Sequence, residues 1–215
     1  MGVHATPLQQ AQFQERKNLF YCKVVSWQGV LALYIPGVMV LRTTCHEDSE
    51  FMDNPNFSID GIQLLLPSNI RERIPWNKHL GEYEWLLHEA QAHDSLDKIR
   101  QNLCLWDFLL KKKKDWSHGV RENMCSLTAI SQATNKVTAF ATKYRVAHTA
   151  LNNLSSLLGK GDKWSSEFPI LWDDDIKGLP AEGWGEGMKK LSWIWMSQGV
   201  SNPETDEPQL IDGSY

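Results

Sequence analysis

The sequence predicts an all-α protein built around a long antiparallel helical hairpin. Three observations carry this. Apolar residues recur every three or four positions through two long stretches of the 215-residue chain. A short turn-forming stretch separates those stretches. No run alternates strictly enough to form a sheet strand.

Residues 1–17 are polar and rich in glutamine, and read as a disordered N-terminus. Residues 18–80 read as shorter N-terminal helices and loops. The first helical stretch, residues 18–44, is expected to break at Ile35, Pro36 and Gly37. Within it, residues 24–41 are apolar and just long enough to span a bilayer. Ser26, Gln28, Gly29, Pro36 and Gly37 interrupt that run, and no strongly basic flank accompanies it. It reads as a buried segment, and no membrane partner is expected. Residues 45–60 are acidic and carry turn formers. Pro67 closes the next apolar run, and Ser68 is placed to cap a brief helical turn.

Residues 81–160 hold the hairpin. Its first helix begins after Gly81, with Glu82 and Glu84 in the first turn, where carboxylates suit the helix dipole. Trp85, Ala92, Leu96, Ile99, Leu103, Trp106 and Leu110 share one face. The lysines 111–114 sit where a helix C-terminus favours positive charge. Residues 115–119, Asp-Trp-Ser-His-Gly, make the turn. The second helix carries Val120, Met124, Leu127, Ile130, Thr134, Val137, Phe140, Tyr144, Ala147, Leu151, Leu154 and Leu158 in the same rhythm. Gly159 and Gly161 stop it. About forty helical residues extend roughly 60 Å, so this helix needs a partner along its length. Each stripe is narrow, as in a coiled coil. Residues 161–200 read as a Trp-rich closing segment, and residues 201–215 as a disordered acidic tail.

The chain carries ten tryptophans, spread along its length as packing anchors would be. Its net charge of −4 hides an asymmetry, since residues 82–160 carry +3 and residues 161–215 carry −7. The acidic end can mask the basic middle. Cys22, Cys45, Cys104 and Cys125 form no Cys-x-x-Cys pair, and read as reduced packing residues of an intracellular protein. The polar N-terminus is not expected to act as a signal peptide.

Motifs with chemical potential fail on spacing. His88 and His93 lie five apart in His-Glu-Ala-Gln-Ala-His, whereas a helical zinc pair needs four. Cys45, His46, Glu47 and Asp48 are chain neighbours, which rarely converge on one ion. Residues 159–161, Gly-Lys-Gly, follow a helix and lack the phosphate-loop spacing, and residues 183–187, Gly-Trp-Gly-Glu-Gly, read as linker. Asp173, Asp174 and Asp175 read as an acidic loop. No serine, histidine and acid sit in a nucleophile-elbow setting. The expectation is therefore no enzyme, no catalytic residue, no metal, no cofactor and no small-molecule substrate. Lys111, Lys112, Lys113 and Lys114 are the candidate nucleic-acid contact, or a nuclear address. Self-association or a helical protein partner is the other expectation, because a two-helix hairpin leaves apolar surface to cover.

Five segments, in order, resemble one family. They are Tyr-Ile-Pro-Gly at residues 34–37, Leu-Pro-Ser at 66–68, residues 85–105, Lys-Tyr-Arg-Val-Ala at 143–147, and Leu-Ser-Trp-Ile-Trp at 191–195. In the third, Glu89-Ala90-Gln91, Asp94-Ser95-Leu96 and Ile99-Arg100 carry the likeness. Together they are similar to the region after the catalytic core in fungal Kyakuja-Dileera-Zisupton (KDZ) transposases. The resemblance covers roughly residues 20–200. It implies a transposon-derived scaffold or accessory segment. In that family a ribonuclease-H-like core with three metal-binding carboxylates is expected upstream, so this chain is expected to start after it and to lack its cutting residues. A stand-alone helical interaction module is the alternative. Ser192, Trp193, Ile194 and Trp195 are then expected to end the folded region as a structural clasp, with Trp193, Ile194 and Trp195 folding back onto the hairpin.

Overall fold

The computed structural model describes residues 6–45, 64–116, 120–179 and 191–197. Among them are six α-helices and no strand: α1 (Pro7–Tyr34), α2 (Val38–Cys45), α3 (Pro67–Ile70), α4 (Lys78–Trp116), α5 (Val120–Leu158) and α6 (Lys163–Glu167). Short 3-10 turns follow at Asp173–Asp175 and Trp193–Trp195. The chain divides into two units, one of residues 1–84 and 156–159, the other of residues 85–155 and 160–215.

In the first unit, α1 starts earlier than its composition suggests. The glutamine-rich stretch from Pro7 onward is helical, which corrects the expectation of disorder there. Thr6 accepts from the Gln9 N–H and the Gln9 side chain accepts from the Thr6 N–H, with Pro7 preset at the first helical position. Residues 1–5 lie outside the described residues. The break at Ile35, Pro36 and Gly37 falls where expected, and the Ile35 N–H still reaches Leu31 O at 2.9 Å. Leu31, Ile35, Val38 and Ile70 form a small core, with Trp27, Leu41, Ile74 and Trp76 packed against it. Among the described residues no helix is long and apolar enough to cross a membrane.

Two expectations about this unit are corrected together. Ser68 does not cap α3, because the cap position is Leu66 and Pro67 begins the helix. The Ser68 N–H and hydroxyl instead donate to the Glu84 carboxylate, which is buried. Glu84 is likewise not a first-turn residue, since α4 opens at Lys78. Its carboxylate serves a neighbouring turn rather than its own helix dipole. Gly81 has a packing reason: an added Cβ would lie 2.5 Å from the Trp76 ring and 3.3 Å from Leu158. Residues 81–84 and 156–159 both fall in this unit.

The second unit is the antiparallel pair of α4 and α5, packed extensively. Trp85, Ala92, Leu96, Ile99 and Leu103 are buried on α4, and Val137, Tyr144, Ala147, Leu151 and Leu154 on α5. Ala133, Ala141 and Ala150 are buried beside them. The stop of α5 falls at Gly159, whose φ of +65° only glycine adopts cheaply. The Lys160 N–H then reaches back to Ser155 O, closing the helix end. Cys22, Cys104 and Cys125 are free and exposed, which corrects their reading as packing residues. Cys104 illustrates why: it lies one step round the helix from buried Leu103. Cys45 falls at the end of α2, and its side chain lies outside the described residues.

Candidate functional site

Within the second unit, the segment after α5 runs back along the helical pair as a strap. Polar side chains of the helices hold its main chain. The Tyr144 hydroxyl donates to Pro169 O at 2.7 Å, and Arg145 Nε donates to Leu171 O at 3.0 Å. Arg145 also pairs with Asp173. On α4, Arg100 donates from Nε to Ile194 O and from Nη2 to Ser197 O at 2.8 Å, while Nη1 pairs with Asp97. Burial of the Tyr144 ring pushes its phenol well above the usual tyrosine range, so the hydroxyl stays a donor.

Apolar anchors fill the space between these bonds. Phe168, Leu171 and Ile194 are buried. The Phe168 ring meets His93 edge-on at 4.7 Å, and Glu167 lies 3.6 Å from the same imidazole. Trp164 packs edge-on against Trp85 at 5.8 Å and 5.4 Å from His148. Desolvation holds His148 below the usual histidine range, partly offset by its hydrogen bond to the Phe168 backbone.

The residues Trp193, Ile194 and Trp195 occupy three different settings. Trp193 lies 6.1 Å from Tyr144, and Ile194 is fully buried. Trp195 Nε1 donates to Lys177 O at 2.9 Å, and Ser192 donates to Asp175 O at 2.6 Å. Asp173, Asp174 and Asp175 form one 3-10 turn in which Asp173 pairs with Arg145 and Asp175 accepts from the Trp172 N–H.

Where the strap meets the middle of the hairpin it leaves a groove of about 520 Å3. Leu103 and Trp106 line it from α4, Thr134, Val137 and Ala141 from α5, and Ile176 from the strap. Arg145, Asp173 and Lys177 give it a charged side. The hydroxyls of Thr134 and Thr138 donate to Ile130 O and Thr134 O within α5. At one end Gly178 lies against Asp107, where a Cβ would come within 2.5 Å of the carboxylate.

Lys111 and Lys112 are exposed and Lys113 half-buried near the end of α4. The side chain of Lys114 lies outside the described residues, as do His46, Glu47, Asp48, residues 183–187 and residues 201–215. Among the described residues no group of three or more His, Cys, Asp or Glu side chains is placed to hold a metal ion. Sequence periodicity missed Arg100, Tyr144 and Arg145 as holders of the strap. Their signal was present: polar groups at the edge of an apolar stripe, beside a chain that must return over it.

The chain matches no protein-family model, no curated protein and no solved structure.

Proposed function

We propose that this chain is a non-catalytic helical scaffold, a transposon-derived accessory segment of the kind found after the core of KDZ transposases. One observation supports this reading best. Arg100, in one of the resembling segments, grips the main chain at Ile194 and Ser197, in and just beyond the resembling Trp-Ile-Trp stretch. Tyr144 and Arg145, in another, hold residues 169–173. Residues that carry the likeness are thus spent on joining distant parts of the chain, as a scaffold requires, rather than turned toward a reacting centre.

The test is to express the chain with a KDZ transposase core deprived of its own C-terminal region. The scaffold reading expects co-purification and restored excision, both lost in Arg100→Ala. Failure to associate refutes it. Nucleic-acid contact through Lys111, Lys112, Lys113 and Lys114 is expected to give a salt-sensitive mobility shift, lost when all four become glutamine. A second reading, a helical protein interaction module, is favoured by Leu127 and Met124, which lie exposed on the hairpin. Concentration-dependent mass without DNA affinity would select it. Nuclear residence belongs to the first reading.

A further inference from the structure

The strap brings three tryptophans to one hollow. Trp164 comes from α6, Trp172 from the residue before the Asp173–Asp175 turn, and Trp193 from the last 3-10 turn. With His148 of α5 they wall a hollow of about 480 Å3 on the second unit. Each indole has its own support. Trp164 packs edge-on against Trp85 at 5.8 Å and lies 5.4 Å from His148. Trp172 is fixed to Asp175, whose carboxylate accepts from the Trp172 N–H at 2.9 Å. The same turn holds the start of the last one, because Ser192 donates to Asp175 O at 2.6 Å. Trp172 nevertheless stays 66% exposed. An indole so exposed contributes little as a packing anchor, and beside two others at a hollow it marks a surface that binds.

The electrostatics of the hollow select its ligand. Asp175 lines it, and among the described residues no lysine or arginine does. Burial holds His148 below the usual histidine range, so that ring adds no positive charge at neutral pH. The faces of aromatic rings carry negative potential, as the carboxylate does. A cation is therefore favoured, and a phosphate-bearing ligand is not. The supply of acceptors decides which cation. Pro169 lines the hollow, but its carbonyl already accepts from the Tyr144 hydroxyl. One Asp175 oxygen is likewise taken by the Trp172 N–H. A primary ammonium carries three donors and would shed water that these walls cannot replace. A trimethylated ammonium has no donor to satisfy and presents positively polarised methyl groups to the rings. We propose that Trp164, Trp172 and Trp193, with Asp175, form a binding site for a trimethylammonium group, borne by a free cation such as choline or by a trimethylated lysine side chain. This site goes beyond the scaffold reading and does not depend on it.

The experiment follows the indole N–H signals of the isotope-labelled full chain by NMR during titration with choline, each signal assigned by replacing single tryptophans with phenylalanine. The expected result is a saturable shift centred on Trp164, Trp172 and Trp193, with half-saturation on the order of 1 mM, the range that a few cation–π contacts and one carboxylate support. Dimethylbutanol, the neutral isostere of choline with carbon in place of nitrogen, should bind at least fivefold more weakly. Trp172→Ala removes an exposed ring, so its circular dichroism should match the parent while choline affinity falls at least fivefold. Asp175→Asn keeps an acceptor for the Trp172 N–H and should weaken binding about threefold. Nα-acetyl-trimethyllysine set against choline identifies the source, and tighter binding of either one supports the site. A chain that shows no shift at fifty times the expected half-saturation overturns the proposal. So does equal binding of dimethylbutanol, which would make the hollow merely apolar, or a Trp172→Ala protein that binds choline undiminished.

Discussion

Replacing Arg100 by alanine should loosen the strap more than any other single polar change in the second unit. The Arg100 side chain is 15% exposed and donates to two main-chain carbonyls, Ile194 O and Ser197 O, besides Asp97. A hydrogen bond from a charged donor contributes about 1.5–3 kcal/mol net. The strap carbonyls can regain water when the guanidinium is lost, so the summed cost should be about 2–4 kcal/mol rather than the full total. For a chain of this size, at about 2–4 °C per kcal/mol, the melting temperature should fall by about 5–15 °C. Arg100→Lys should lie nearer to alanine than to the parent, because an ammonium lacks the planar fork that spans both carbonyls. The assay is thermal melting followed by far-UV circular dichroism and tryptophan fluorescence. Lys98→Ala serves as the control, since the exposed Lys98 side chain bonds Gln101 on its own helix and does not touch the strap among the described residues. If the Arg100→Ala and Lys98→Ala proteins melt alike, the strap is not held in the way described.

Trp193→Ala with Trp195→Ala should lower the melting temperature, and Ile194→Ala alone should cost about 2–5 kcal/mol because that side chain is fully buried; an unchanged melt would reject the clasp. Gly81→Ala should destabilise the first unit by about 1–3 kcal/mol, since its Cβ meets the Trp76 ring, whose Nε1 is tied to Arg71 O. Urea titration reads the effect, and a neutral result would mean the ring swings aside freely. For His148, whose folded pKa is lowered by burial from the usual histidine value of about 6.5, the neutral form is favoured in the fold. Its contribution is present above that value and is lost as pH falls toward the lowered folded one. His148→Gln should therefore flatten the acid side of the stability profile; a parallel profile would assign the dependence to other groups.

The hairpin was legible because large apolar residues at helical spacing report burial directly. The second helix falls at Val120–Leu158, the span its stripe marks out. Small residues were silent: Ala133 and Ala141 are buried, yet the stripe was drawn through exposed Thr134. Exposed Leu127 and Met124 show the converse, since periodicity states which face is apolar and not whether anything covers it. The start of α1 is hidden in a Gln-rich composition that looks unstructured, although the Thr6–Gln9 box begins the helix there. Proximity assigns Ser68 to its own helix, although its partner Glu84 lies sixteen residues away. Side-chain grips on a distant main chain, as at Arg100, leave no periodic trace.

That last kind of bond has an evolutionary consequence. Arg100, Tyr144, Arg145 and Trp195 all hold the strap by its carbonyl oxygens, at Ile194, Ser197, Pro169, Leu171 and Lys177. Every amino acid supplies a carbonyl, so at exposed Lys177 the gripped residue can drift without losing its grip, whereas Ser197 is also held through its hydroxyl by Arg100. Selection on this attachment would weigh on the four holders, of which Trp195 lies in the strap itself, and leave positions such as Lys177 nearly neutral. Descendants of one ancestor could keep this architecture while their straps diverged past recognition by sequence. A saturation library across residues 169–179 and 191–197, with Arg100 and Tyr144 included, would reveal that asymmetry as tolerance at Lys177, set against intolerance at Arg100 and Tyr144.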